Sequence, residues 1–285
     1  MTMSKLDPRR HPIRPDLAAE YLRGQVEAER FVQGRAMRVI DPVVDLRSRP
    51  SPDAGVETQA LFGEILIAYE DYEGWLWGQL QRDGYVGYVS ASGLVEGDMA
   101  ASHHLIVPRS FVYPGLSMKL PIVSALSLGS VVKVSKQHGD FAEIENLGCI
   151  WAAHLAPLDQ DVTDFVAVAE MFLNVPYLWG GKSSLGLDCS GLVQISLQAA
   201  GILAPRDTDM QWAELGREIA IDETLEGLQR GDLIFWKGHV GVMRDAHILL
   251  HANGHHMMVA SEPLREARDR ILAKSHGPIL GVKRL

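Results

Sequence analysis

Two stretches hold residue types that could do chemistry together. The first, "LGLDCSGLVQISLQAAGI", runs from Leu185 to Ile202 and carries Cys189, one of two cysteines in the chain. The second, "RGDLIFWKGHVGVMRDAHILLHANG", runs from Arg230 to Gly254 and carries His239 and His251. A thiolate is a strong nucleophile, and an imidazole within reach can take its proton. A second imidazole can hold the first in one tautomer and orientation. The question is whether local structure brings the three together.

From Cys189 onward, Leu192, Val193, Ile195, Ser196 and Ala199 recur at helical intervals up to Gly201, a natural C′ residue. Cys189 therefore falls in the first turn of a helix or at its cap, where unpaired N–H groups and the helix dipole are expected to lower the thiol pKa toward neutrality. Downstream, Leu233 to Trp236, His239 to Met243 and Ile248 to His251 read as three short strands. His239 begins the second and His251 ends the third, so an antiparallel pairing across "RDA" sets them side by side. His247, His255 and His256 have no such placement and are read as ordinary structural or surface residues. Ahead of this, Thr163 is placed to cap a helix over "DFVAVAEMFLN", with Phe165, Val168, Ala169 and Phe172 on one stripe and Pro176 preventing its continuation.

The N-terminal half has another texture. Pro15 to about Arg30 reads as a surface helix with Leu17, Ala18, Tyr21 and Leu22 on one face. From Met37 to Leu158, alternating runs and turn residues recur, and "LFGEILIAYEDYEGWLWGQL" is echoed by "SLGSVVKVSKQHGDFAEIEN", which suggests tandem small β-barrels. The repeat sets Cys149 against Tyr88 inside a strand, where a free thiol is usually a small buried hydrophobe. The resulting organisation is an arm over 1–36, barrels over 37–98 and 99–158, and a mixed α+β domain over 159–285.

Composition narrows the function. Lys plus Arg number 27 against 36 Asp plus Glu, a net charge of -9 without long runs, which disfavours nucleic acid or an anionic membrane as partner. No segment approaches the roughly 18 apolar residues that span a bilayer, and the first residues lack an apolar signal core. A small soluble substrate and a cytoplasmic location are expected. Two cysteines without a CxxC make neither a disulfide framework nor a zinc knuckle; no metal and no cofactor is expected.

Taken together, "LDCSGLVQ", "GDLIFWKGHVGV" and "LLHANG" resemble the NlpC-type cysteine peptidases, papain-like enzymes that cut bacterial cell-wall peptides after D-glutamate. "VGYVSASGL" at 86–94 is similar to the ending of bacterial SH3-like domains found beside such hydrolases. With SH3-like barrels in front, the likeness is to γ-D-glutamyl-L-diamino-acid endopeptidases that recycle murein peptides, which implies L-Ala-γ-D-Glu-diaminopimelate or a relative as substrate. The resemblance makes Cys189 the nucleophile, His239 the base, His251 the orienting residue and Tyr177 a helper of the Cys189 N–H in holding the oxyanion. It assigns Asp188 and Ser190 to the L-Ala-D-Glu pocket, with Trp179 beside it. Arg206-Asp207-Thr208 resembles the family's Arg-Asp-Ser, with Thr208 keeping the hydroxyl and Arg206 suited to a glutamate carboxylate or to an ion pair with Asp207 or Asp209. Glu64 and Tyr85 of the first barrel stand where the recycling members recognise a free L-Ala amine, Asp188 being the first choice for that carboxylate.

Three other classes compete. A zinc hydrolase built on Cys189, His239 and His251 would lack a further ligand at helical spacing. A wall-binding module with a dead catalytic domain would normally have lost the Cys or His retained here. An amidase or acyltransferase on the same scaffold would need a wider apolar groove than the charged "PRDTD" and "LDCS" edges suggest.

Overall fold

The structure, a computed structural model, describes residues 6–222 and 224–285. The chain divides into two compact units at Leu158/Asp159. No helix among the described residues is long and apolar enough to cross a membrane. The arm as read includes residues 1–5, which lie outside the described residues.

In the N-terminal unit the expected surface helix over 15–30 does not form. Leu17–Ala19 is instead a strand, paired in parallel with Arg30–Val32, and only Glu20–Leu22 makes a single 3₁₀ turn. Leu17, Ala18 and Ala19 are all buried, which an amphipathic surface helix cannot do with three consecutive residues. Leu17, Ala19 and Leu22 pack with Tyr69 and Trp77, and the Arg14 guanidinium lies 4.4 Å from the Trp77 ring. Tertiary burial here overrides a helical pattern.

Behind this arm is a seven-stranded antiparallel sheet, in spatial order Val56–Leu61, Val43–Arg47, Val86–Ser90, Trp75–Leu80, Ile65–Tyr72, Arg35–Val39 and Leu94–Glu96. Alternate residues such as Val39, Leu46, Leu66, Leu76, Leu80 and Val89 point inward and form its core. Its first and last strands do not pair with each other, so among the described residues the SH3-type sheet is open and not a closed barrel. Residues 99–158 follow as three smaller sheets around Leu105, Val112, Leu126, Val132, Ile144 and Ile150. Phe62 of the first region belongs to this second core, and the Val131 N–H donates to the Phe62 carbonyl at 3.0 Å. Phe62, from before residue 98, thus packs in the core of the region after it, while the seven-stranded sheet keeps a core cluster of its own. Cys149 is buried here, and burial followed by Glu143 pushes its thiol pKa up.

The C-terminal unit is α+β. Its helices are α1 (Phe165–Glu170), α2 (Cys189–Ala199), α3 (Thr208–Glu214) and α4 (Leu264–Lys274). Its main sheet has β1 (Arg217–Ile219), β2 (Leu233–Trp236), β3 (His239–Met243), β4 (Ile248–Asn253), β5 (Met258–Pro263) and β6 (Gly281–Arg284), in the order β1-β6-β2-β3-β4-β5. The cap of α1 is Asp164, accepting from the Val166 and Ala167 N–H groups, in place of the expected Thr163. Helix α2 is buried along almost its whole length and lies against β3 and β4. Gly201 follows it at φ +70°, the left-handed C′ conformation its position suggested.

Candidate active site

Asp188 decides how α2 begins. It is the N-cap residue, and its carboxylate accepts from the Gly191 N–H at 2.7 Å. The same carboxylate accepts from the Gly180 N–H at 2.9 Å and takes a two-pronged contact from Arg206, at 2.9 and 2.6 Å. Ser190 completes the cluster, accepting from Arg206 at 2.8 Å and donating to Asp188. Arg206 is only 2% exposed. Asp188, expected to meet a substrate amine, has its carboxylate engaged by Arg206, Ser190 and two backbone N–H groups. Arg206, expected to meet a substrate carboxylate or an aspartate of its own segment, contacts Asp188 and Ser190. This buried pair, with Ser190, ties the loop at 180, the start of α2 and the segment before α3 into one knot.

That knot leaves Cys189 as the first residue of α2, where N–H groups have no acceptor within the helix. Its sulfur lies 3.9 Å from the Thr208 hydroxyl and within hydrogen-bonding reach of the Val240 N–H on β3. Asp207 stands at the N-cap of α3, so Thr208 is held by that helix. The expected low thiol pKa is not what the surroundings produce. Burial, then the Asp188 charge, push the Cys189 thiol up to about 11, outweighing the contacts from Val240 and Thr208. At rest Cys189 is therefore a thiol.

The histidines come from neighbouring strands. The register Val242↔Leu250 and Met243↔Leu249, continued one pair further than two residues, sets Gly241 opposite His251. His239, two residues from Gly241 on the same strand face, is then the diagonal neighbour of His251. The two rings meet edge to face, with His239 Nε2 2.8 Å from His251 Nδ1. Gly241 is what permits this: a Cβ there would lie 2.8 Å from Leu249 Cδ1 and 3.1 Å from His251 Cβ.

A further contact lies beyond the expected three residues. His251 Nε2 is 2.7 Å from Glu262 Oε1 on β5, and Arg270 of α4 grips both Glu262 oxygens at 2.5 and 2.6 Å. Burial alone would raise the Glu262 carboxyl; hydrogen bonds from His251 and Arg270 reverse that and hold it at about 2. Burial, then His251, lower His239 well below the usual imidazole value; burial also lowers His251 despite Glu262. His276 stacks on His239 at 5.2 Å between centroids. His251, His256 and Glu262 are near enough to one another to share a cation, but Glu262 is already neutralised by Arg270.

Cys189, His239, His251, Tyr177 and Trp179 line one cavity of about 360 Å³, together with Asn253, His255, Arg270, Lys274 and His276. Trp179 is 71% exposed on its rim, whereas Tyr177 is half-buried, and burial, then Cys189 and Asp188, push its phenol up. Glu64 and Tyr85 lie in the other unit and are buried. Glu64 accepts from the Leu61 N–H at 2.9 Å and pairs with Arg82 at 3.2 Å; Tyr85 belongs to the core of the seven-stranded sheet. Both side chains, expected to help recognise a free amine, are thus taken up within their own unit. The arrangement in the C-terminal unit is that of a thiol hydrolase: a helix-start cysteine, two linked imidazoles and a cleft.

The sequence matches the NlpC/P60 family over residues 174–272, a span that contains Cys189, His239, His251 and Glu262. That stretch of the chain is an NlpC/P60 domain. Residues 46–94 match the bacterial dipeptidyl-peptidase SH3 domain, which places this NlpC/P60 cysteine endopeptidase behind an SH3-type module. A γ-D-glutamyl-L-lysine dipeptidyl-peptidase of Bacillus subtilis is 27% identical over 221 residues, 72% of this chain and 72% of that protein. A dipeptidyl-peptidase 6 of Lysinibacillus sphaericus is 38% identical over 88 residues, but the match covers only 31% of each chain. In fold, the structure is similar to an NlpC/P60 family protein from Bacillus cereus, with TM-score 0.70 and 19% identity over 87% of this chain and 99% of that one.

Proposed function

We propose that this chain hydrolyses the bond between the γ-carboxyl of D-glutamate and an L-diamino acid in small cell-wall peptides, through a thioester on Cys189. The observation that carries the reading is the joining of Cys189 and the hydrogen-bonded His239–His251 pair in one cleft. His239, kept neutral by burial, takes the thiol proton as the sulfur attacks the γ-carbonyl carbon. The oxyanion that forms meets the Cys189 N–H and the Tyr177 hydroxyl. On collapse, the C–N bond breaks and His239 returns the proton to the leaving amine. Water, deprotonated by His239, then cleaves the thioester and restores the thiol.

The substrate class rests on two supports. The Bacillus subtilis relative, matched across both units, is named for the γ-D-glutamyl-L-lysine bond and for release of a dipeptide. Lys274 also lines the cleft, and no Asp or Glu does among the described residues, which suits the carboxylates of a diamino-acid peptide. With this reading goes a substrate that has a free L-Ala end and has been released from the wall, met in the cytoplasm.

Mass spectrometry of digests of L-Ala-γ-D-Glu-L-Lys and its diaminopimelate counterpart, each with free and acetylated N-termini, tests the proposal. Release of L-Ala-D-Glu from the free peptides by the wild-type protein, and not by Cys189→Ala, is expected. Efficient digestion of insoluble sacculi, or equal rates on acetylated and free peptides, would overturn it.

A further inference from the structure

The two histidines could in principle be joined by a proton on either side of the bond between them, and only one arrangement leaves a base facing the thiol. We propose that Glu262, clamped by Arg270, is a positioning residue that fixes the tautomers of both histidines and so aims the His239 lone pair at Cys189. The inference rests on the catalytic reading of Cys189 and His239 above.

The polarity follows from the donor inventory. An ionised carboxylate only accepts, and Arg270 supplies it with two N–H donors, so Glu262 stays ionised. His251 Nε2, 2.7 Å from Glu262, must then carry a proton. A neutral His251 has only that one N–H, which makes its Nδ1 an acceptor. His239 Nε2, 2.8 Å from that Nδ1, must donate. Neutral His239 therefore keeps its lone pair on Nδ1, the ring nitrogen not engaged with His251. Each bond in the row dictates the next, and the row starts at a carboxylate two strands away from β3.

Strand geometry supports a dedicated arrangement. Ala260 is the registered partner of His251 on β5, and Glu262 sits two residues further along, the same diagonal offset that joins His239 to His251 on the other side. Small residues, Gly241 and Ala260, thus flank His251 on both neighbouring strands. Other charged or titratable groups around the row are Cys189 at the start of α2 with Asp188 as its cap, Tyr177 in the cleft, His255 and His256 from the turn after β4, Glu266 and Lys274 on α4, and His276 stacked on His239. None of these is an acceptor within hydrogen-bond distance of His251 Nε2, so none substitutes for Glu262.

Glu262→Gln removes the uniqueness. Three donors, two from Arg270 and one from His251, converge on the carboxylate, and an amide has one oxygen to offer. An NH₂ turned toward His251 requires a lone pair on Nε2, a proton on Nδ1, and hence a proton on His239 Nδ1, the nitrogen left without the lone pair the proposal needs. Three readings test this: ¹⁵N shifts of the imidazole nitrogens in the wild-type protein, the same in Glu262→Gln, and the pH dependence of Cys189 alkylation by iodoacetamide in both.

In the wild type, protonated Nε2 on both rings is expected. In the variant, a population with protonated Nδ1, slower alkylation at neutral pH, a displaced acid limb, and a kcat lower by about 10- to 100-fold with little change in KM are expected, the size seen when a metal-bound histidine loses its outer hydrogen-bond partner. A wild-type His251 protonated on Nδ1 overturns the proposal even if the variant does not fold. So does a folded Glu262→Gln with wild-type tautomers, alkylation profile and kcat. If the tautomers are as stated but no γ-glutamyl peptide is cut, the substrate assignment fails and this one stands.

Discussion

Cys189 and His239 rest in their neutral forms because the same burial that hides them from water disfavours both charges. On the proposed mechanism catalysis depends on proton transfer during attack, with His239 as base and His251 as orienting residue. His239→Ala removes the base and is expected to lower kcat by at least about 10²-fold. His251→Ala leaves the base but frees its ring, so its loss should be smaller; steady-state rates on the free tripeptide check the order, and the reverse order would exchange the roles. Iodoacetamide supplies a second check, since Cys189 opens on the cleft beside a base while Cys149 is packed in a strand. Mass spectrometry should find Cys189 alkylated first.

At the scale of elements, the helix-start cysteine and the three strands around the histidines were legible because Asp-Cys-Ser-Gly and period-two runs bounded by Gly are local signals. What stayed hidden depends on register. Nothing within "MVASEP" tells that Glu262 lies diagonal to His251, because that follows only once β4 and β5 are paired. The pairing of Asp188 with Arg206, 18 residues on, was hidden for the same reason, as was the strand at Leu17, whose helical pattern yields to burial on Trp77. Both local geometries invite tests. Asp188→Asn leaves Arg206 buried beside an amide, and breaking one side of such a pair typically costs about 3–5 kcal/mol; urea unfolding should register a loss of that order, with Ser190→Ala costing less. Gly241→Ala forces Leu249 and His251 apart, for which overpacking figures suggest about 1–3 kcal/mol. A wild-type unfolding midpoint and unchanged kcat in Gly241→Ala would show that the diagonal histidine pair tolerates the extra methyl.

For the whole molecule, net charge and hydrophobic content pointed toward a small soluble substrate but said nothing of which groups set stability, and the two units differ in this. The C-terminal unit buries two histidines whose pKa values are lowered on folding, and carries partly exposed carboxylates at Asp164, Glu170 and Glu262 held low by arginines. The sign is the same for both kinds of group. A histidine lowered on folding binds its proton more readily when unfolded, so its contribution is complete above the ordinary value of about 6.5 and is lost as pH falls below it. The carboxylates contribute fully above about 4.3 and lose that contribution as pH drops toward 2. Between pH 7 and 5 the histidines therefore act first. Each can tilt stability by up to about 1.4 kcal/mol per pH unit once it is protonated only in the unfolded chain. Hydrogen exchange at the amides of α2 and β2–β5 should accordingly quicken, after correction for intrinsic rates, as pH is lowered from 7 to 5, more than at the seven-stranded sheet. His239→Asn should flatten the dependence without touching the lower step set by Glu262. Equal protection at pH 7 and 5 across the catalytic sheet would mean that His239 and His251 keep their ordinary proton affinity, and the neutral-pair mechanism would have to be abandoned.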